Sequence, residues 1–133
     1  MQSRRDDVDP YAAVDRALVR GVCGMGEADD LRSERRLERF ASAPLGSFVW
    51  TRDVHGRTYV GRLTGPWHYD ESGAEVDLVN VRDTDWVSEP VDAALVPTAV
   101  SRTFARGGRN VQRIHTDHVE VETAALWARL DRE

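Results

Sequence analysis

Cysteine is almost missing from this chain: Cys23 is the only one among 133 residues. A single thiol cannot close an internal disulfide, so the expected compartment is the cytoplasm. Lysine is missing altogether, and all 18 basic side chains are arginine. Long apolar runs are missing too: none approaches the length needed to cross a bilayer, so no membrane partner is expected. The opening MQSRRDDVDP has no apolar core behind its arginines and is not expected to act as a secretory signal. Internal repeats, low-complexity tracts and long linkers are also lacking.

What is present suits one domain spanning 1–133. The apolar fraction is 41% and the charged fraction 31%, the balance of a folded globule. The net charge of −5 argues against broad electrostatic coating of nucleic acid, which usually needs a basic surface. A small local site stays open, because charge is uneven. From Thr98 to Thr116 there are four arginines (Arg102, Arg106, Arg109, Arg113) and no acid.

DPYAAVDRALVRG reads as a helix with Asp9 as N-cap, Pro10 at its first position and Gly21 as stop. ALVRGVCGMG also alternates like a strand, which would end that helix near Asp15. EADDLRSERRLERFAS reads as a second helix with Leu31, Leu37 and Phe40 as its apolar positions, ended by Pro44. A β-rich centre over about 46–115 follows. GSFVWTRDVHGRTYVGRLTG is expected to form a hairpin turning near His55-Gly56, with a further turn at Gly65-Pro66. AEVDLVNVRDTDWV supplies another strand, with Val76, Leu78 and Asn80 on one side and Val79 and Val81 on the other. PTAVSRTFARGG starts a helix at Pro97 and stops it at Gly107-Gly108. RNVQRIH reads as a return strand. DHVEVETAALWARL closes as a helix with Val119, Ala125, Leu126 and Leu130 inward, and with Trp127 and Leu130 spaced to share a face. The fold class is α+β: a small curled sheet or open β-barrel flanked by helices.

Catalytic and metal signals are thin. His115 and His118 are three apart, but no second ligand pair accompanies them, so no metal is expected. GVCGMGE has the wrong glycine spacing for a dinucleotide loop. Cys23 could serve as a nucleophile only with a base in reach, and Asp83, Asp85 and Glu89 around Trp86 read as solvated acids. The chain is expected to be no enzyme and to need no cofactor.

The aromatics carry more. Trp50, Tyr59, Trp67, Tyr69 and Trp86 all fall in the β-rich centre, where at least one of Trp50 and Tyr59 is expected to pack the core. Trp67 and Tyr69 share a side if the chain is extended there. Two large rings at a sheet edge make a stacking platform for a planar ligand, with His68 or Asp70 supplying hydrogen bonds. FARGGRNVQR is a second candidate. Gly107-Gly108 beside Arg106 and Arg109 can form a phosphate nest, although a glycine helix stop explains the same spacing.

Over Val22 to Ile114 the chain resembles the N-terminal module found ahead of Mrr-type restriction endonucleases and related defence proteins. The matching residues are Gly46, Val49, Gly61, Gly65, Trp67, Tyr69, Val81, Arg82, Trp86, Pro97 and Ile114. Ser47 stands where that family usually has Asp, and no nuclease domain is expected to accompany the module here. The module is in turn similar to the PUA/EVE group of small barrels, several of which hold a modified base in an aromatic pocket. The resemblance implies a PUA/EVE-like reader or adaptor with no catalysis of its own. The expected function is recognition of nucleic acid, including a modified base, in bacterial defence, with a protein partner supplying any catalysis. The expected ligand-binding residues are Trp67, Tyr69, His68, Trp50, Trp86, Arg106 and Arg109. The alternative is a protein-interaction adaptor that binds through the same aromatic face.

Overall fold

The computed structural model describes Asp9, residues 11–105 and residues 117–130. Its order is α1 (Ala12–Arg20), β1 (Val22–Met25), α2 (Leu31–Ser42), β2 (Phe48–Arg52), β3 (Thr58–Tyr69), β4 (Asn80–Trp86), α3 (Thr98–Ala105) and α4 (Asp117–Leu130). The strands form one four-stranded antiparallel sheet in the order β1-β4-β3-β2, curled into a half-barrel and flanked by helices. The α+β expectation holds. Among the described residues no helix is long and apolar enough to cross a membrane.

Around β2 the sheet is buried on both faces. Neighbouring strand residues point opposite ways, so Val49 and Trp50 enter different cores. Val49 joins Ala13, Ala17, Cys23, Leu63 and Val81 under α1 and α2. Trp50 joins Val60, Val100, Phe104, Leu126 and Trp127 under α3 and α4. Burying a side chain of this size contributes roughly 1.5–3 kcal/mol each. Trp127 packs its ring against Phe48 at 5.7 Å, and Leu130 lies half-buried beside the same cluster.

α1 does not stop near Asp15. It runs to Arg20, and Gly21 ends it at φ +70°, a left-handed conformation glycine adopts without steric cost. β1 starts at once, so the apparent alternation spans a helix end and a strand. Asp9 accepts the Tyr11 N–H at 3.0 Å, but Tyr11 occupies the N-cap position. α2 is capped by Asp30, whose side chain accepts the Ser33 N–H at 2.7 Å. Its inward face is Ser33, Arg36, Leu37 and Phe40, a helical spacing of three and four. Leu31 lies two residues before Ser33, about 200° away around the helix, and is 63% exposed rather than core-facing. In α4 the spacing selects Val119, Thr123, Leu126 and Trp127, and Ala125 is exposed, contrary to expectation.

The β2–β3 hairpin pairs Phe48 with Arg62 through Arg52 with Thr58, and its loop carries His55 and Gly56 as expected. The expected turn at Gly65-Pro66 is absent. β3 continues through it, and the register slips between Leu63 and Trp67: Leu63 faces Thr84 and Trp67 faces Arg82. Four steps on β3 therefore oppose two on β4. Proline lacks a donor and is tolerated at such a bulge. The next strand begins later than expected, at Asn80. Glu71–Val76 is a 3₁₀ turn, and Asp77 takes a left-handed conformation at φ 54° before Leu78 and Val79 drop into the core. The expected helix stop at Gly107-Gly108 and the expected strand RNVQRIH lie outside the described residues.

Candidate functional site

β3 outruns β2. Their ladder ends where the Leu63 N–H donates to Ser47 O at 2.9 Å and the Gly46 N–H donates to Leu63 O at 2.8 Å. Beyond that point β3 pairs only with β4, among the described residues. Trp67 stands opposite Arg82 and Tyr69 opposite Asn80, so these four share one face. Trp67 is 42% exposed and Tyr69 47% exposed.

Both rings are anchored. The Trp67 indole N–H donates to Asn80 Oδ1 at 3.1 Å, and Asn80 Nδ2 donates to Gly26 O at 2.8 Å. The Tyr69 hydroxyl donates to the Glu27 carboxylate. That bond raises the phenol above its ordinary pKa; desolvation adds to it, as do the charges of Glu27, Glu71 and Asp77. The surroundings of Tyr69 are therefore acidic. α1 braces the far end of this region, because Arg16 donates to Ser72 Oγ at 2.8 Å and reaches Asp70 at 3.5 Å.

Arg82 lies beneath the pair and is buried. Its guanidinium donates to Gly65 O at 2.9 Å, Phe40 O at 2.9 Å and Ala43 O at 2.7 Å. Burial lowers its pKa from the ordinary guanidinium value, yet arginine remains charged at neutral pH. The charge sits against the last carbonyls of α2, where the helix dipole is negative. Arg82 is thus a strut under the rings rather than a grip for an anion.

The structure brings together only part of the expected set. Trp67 and Tyr69 lie on one exposed face. His68 is exposed, but alternation turns it to the other face of the strand. Trp50 is 1% exposed and belongs to the α3–α4 core, leaving no ring face for a ligand. Trp86 is half-buried: its indole N–H donates to Val22 O at 2.9 Å, and its ring covers Gly61 so closely that a Cβ there would lie 2.6 Å away. Arg106 and Arg109 lie outside the described residues, as does His115. Asp83, Asp85 and Glu89 are exposed.

Cys23 is buried, and burial pushes its thiol up to about 11 against the opposing pull of the Thr84 hydrogen bond and the Arg82 charge. A thiol held protonated at neutral pH is not an activated nucleophile. Side chains at Gly24 and Gly26 would collide with the Asn80 carbonyl and the Asp77 carboxylate, so close backbone approach accounts for these glycines. Among the described residues no three His, Cys, Asp or Glu side chains are grouped to hold a metal ion.

Asn80 and Glu27 are the site residues that sequence reasoning missed. Asn80 had a signal, a lone amide inside the apolar run VDLVNV. Glu27 had none, because it meets Tyr69 across 42 positions of chain. No family model, curated protein or solved structure matches this chain.

Proposed function

We propose that this protein is a non-catalytic recognition module that binds a protein partner across Trp67 and Tyr69. One observation carries the choice of partner: the exposed Tyr69 is bonded to Glu27 and feels the charges of Glu71 and Asp77. A polyanion approaching Tyr69 meets like charge, whereas a neutral or basic protein surface does not. The net charge of −5 acts in the same direction. Anchored aromatics lose little conformational freedom on binding, which is why Trp and Tyr dominate protein-binding hot spots. Any catalysis is supplied by the partner, and the defence setting rests on the resemblance alone.

Recognition of nucleic acid is the second reading. It is favoured by the acid-free run from Arg102 to Arg113 together with Trp67, on which a base could stack for about 1–3 kcal/mol. Binding of the full chain to displayed peptides and to plain and modified oligonucleotides at low salt separates the two. The protein reading expects peptide binding that Trp67→Ala weakens by about 1 kcal/mol or more, in a variant that keeps its fold. Oligonucleotide binding lost in Trp67→Ala, with no peptide binding, would replace it with the nucleic-acid reading.

A further inference from the structure

Resting on the protein-partner reading, we infer that the edge of β3 at Trp67–Tyr69, unpaired on one side among the described residues, takes up an extended peptide strand carrying a basic side chain. The hydrogen-bond parity of the sheet leads there. In an antiparallel ladder, alternate residues bond to one neighbour and the residues between them point to the other side. The Val87 N–H donates to Val60 O at 3.1 Å, and the Asp70 N–H donates to Val79 O at 2.7 Å. Even-numbered β3 residues therefore bond to β4, and odd-numbered ones point away from it. Leu63 obeys this rule: its N–H and C=O bond to Ser47 and Gly46 on the other side. Past the bulge the register restores the same parity, with His68 opposite Val81. The main-chain N–H and C=O groups of Trp67 and Tyr69 thus point to the side where β2 has ended.

No described segment takes the place of β2 there. Residues 66–69 are exposed in an unbroken row. The open edge is short, because the Gly65 carbonyl before Trp67 is already engaged by Arg82 and β3 ends at Tyr69. An incoming strand of a few residues matches it. Unpaired edges of this kind are templates for added strands, in which main-chain bonds give affinity and alternate side chains give selectivity. A partner residue set opposite Tyr69 projects onto its ring, beside Glu27. A lysine or arginine there meets a π face and a carboxylate together; an acidic residue meets repulsion from Glu27, Glu71 and Asp77.

The test selects short random displayed peptides against the full wild-type chain, then follows amide exchange by NMR with the winning synthetic peptide. Enriched peptides should carry Arg or Lys within a β-branched stretch. Saturating peptide should slow exchange of the Trp67 and Tyr69 amides by about tenfold or more. N-methylation of alternate peptide amides, which keeps every side chain, should weaken binding by about tenfold, or 1.4 kcal/mol. Peptides that bind through Trp67 yet tolerate N-methylation and leave both amides unprotected would overturn strand addition while the partner reading stands. Acidic winners would overturn the basic occupant alone. Protection of both amides that grows with protein concentration, without peptide, would replace the peptide by a second copy of the chain. Failure to enrich any peptide, with oligonucleotides binding through Trp67, would overturn both this inference and the reading beneath it.

Discussion

The Trp67 indole N–H rests on the side-chain oxygen of Asn80, 3.1 Å away and on the neighbouring strand. Asn80 is itself fixed by its bond to Gly26 O at 2.8 Å. One buried amide therefore sets both the pitch of the exposed ring and the position of the chain after β1. Asn80→Leu should cost about 1–3 kcal/mol of stability, because it strands a carbonyl and removes two bonds. It should weaken partner binding further, by freeing the ring. Urea denaturation and a peptide titration on the same variant check this. Unchanged binding in a destabilised variant would mean that the ring does not need its anchor.

The buried thiol makes stability depend on alkaline pH. Cys23 ordinarily ionises at 9.0 and is held to about 11 in the fold. The unfolded chain gives up the proton first. Stability is then unaffected below the ordinary value and falls as pH rises from it toward the folded one. The expected loss is on the order of 2–3 kcal/mol across that window. Tyrosines titrate in the same range, so the readout is the difference in slope between wild type and Cys23→Ala. Parallel slopes would show that the thiol ionises freely in the folded state. Alkylation of the native protein at neutral pH should likewise be slow.

Asp53 governs the hairpin loop and gives the opposite pH dependence. Burial alone would raise its pKa, but the Arg57 N–H, the Arg57 guanidinium at 2.7 Å and the His55 N–H outweigh it and hold the carboxyl below its ordinary value. Its contribution is present at neutral pH and lost as pH falls through the folded value. Asp53→Ala should destabilise the protein by roughly 1–3 kcal/mol near neutrality. The gap between the two proteins should narrow as pH falls below the ordinary carboxylate range and through the folded value, where the Asp53 carboxyl takes up its proton. Melts of both proteins along an acid pH series decide it; a constant gap would assign the loss to packing.

Local signals made much of this fold legible. Gly21 and Pro44 mark helix ends, the first because it takes a left-handed conformation without steric cost and the second because it cannot continue a helix, and the hairpin around His55-Gly56 follows from alternation on either side of a turn. The misreadings share a cause in tertiary pairing. Gly65-Pro66 carries the local chemistry of a turn, but the ladder with β4 resumes past it and turns the same dipeptide into a bulge. Val76, Leu78 and Val79 mimic strand alternation because a folded-back loop buries them. Alternation alone could not say that Trp50 is inaccessible: it distinguishes two faces of a strand, and here helices cover both. The open site was half legible, since Trp67 and Tyr69 stand out in the sequence, whereas their supports, Asn80 and Glu27, come from distant parts of the chain.

The three carbonyls held by Arg82 belong to separate segments: Gly65 in the bulge, and Phe40 and Ala43 at the end of α2. If α2 lifts away, a buried cation loses two of its partners at once. Slippage of the bulge costs it the third. Undocking of the helix and loosening of the strand are thereby joined into one cooperative opening. The stretch that presents Trp67 is then about as rigid as the helix beneath it, despite facing solvent at the end of an unfinished sheet.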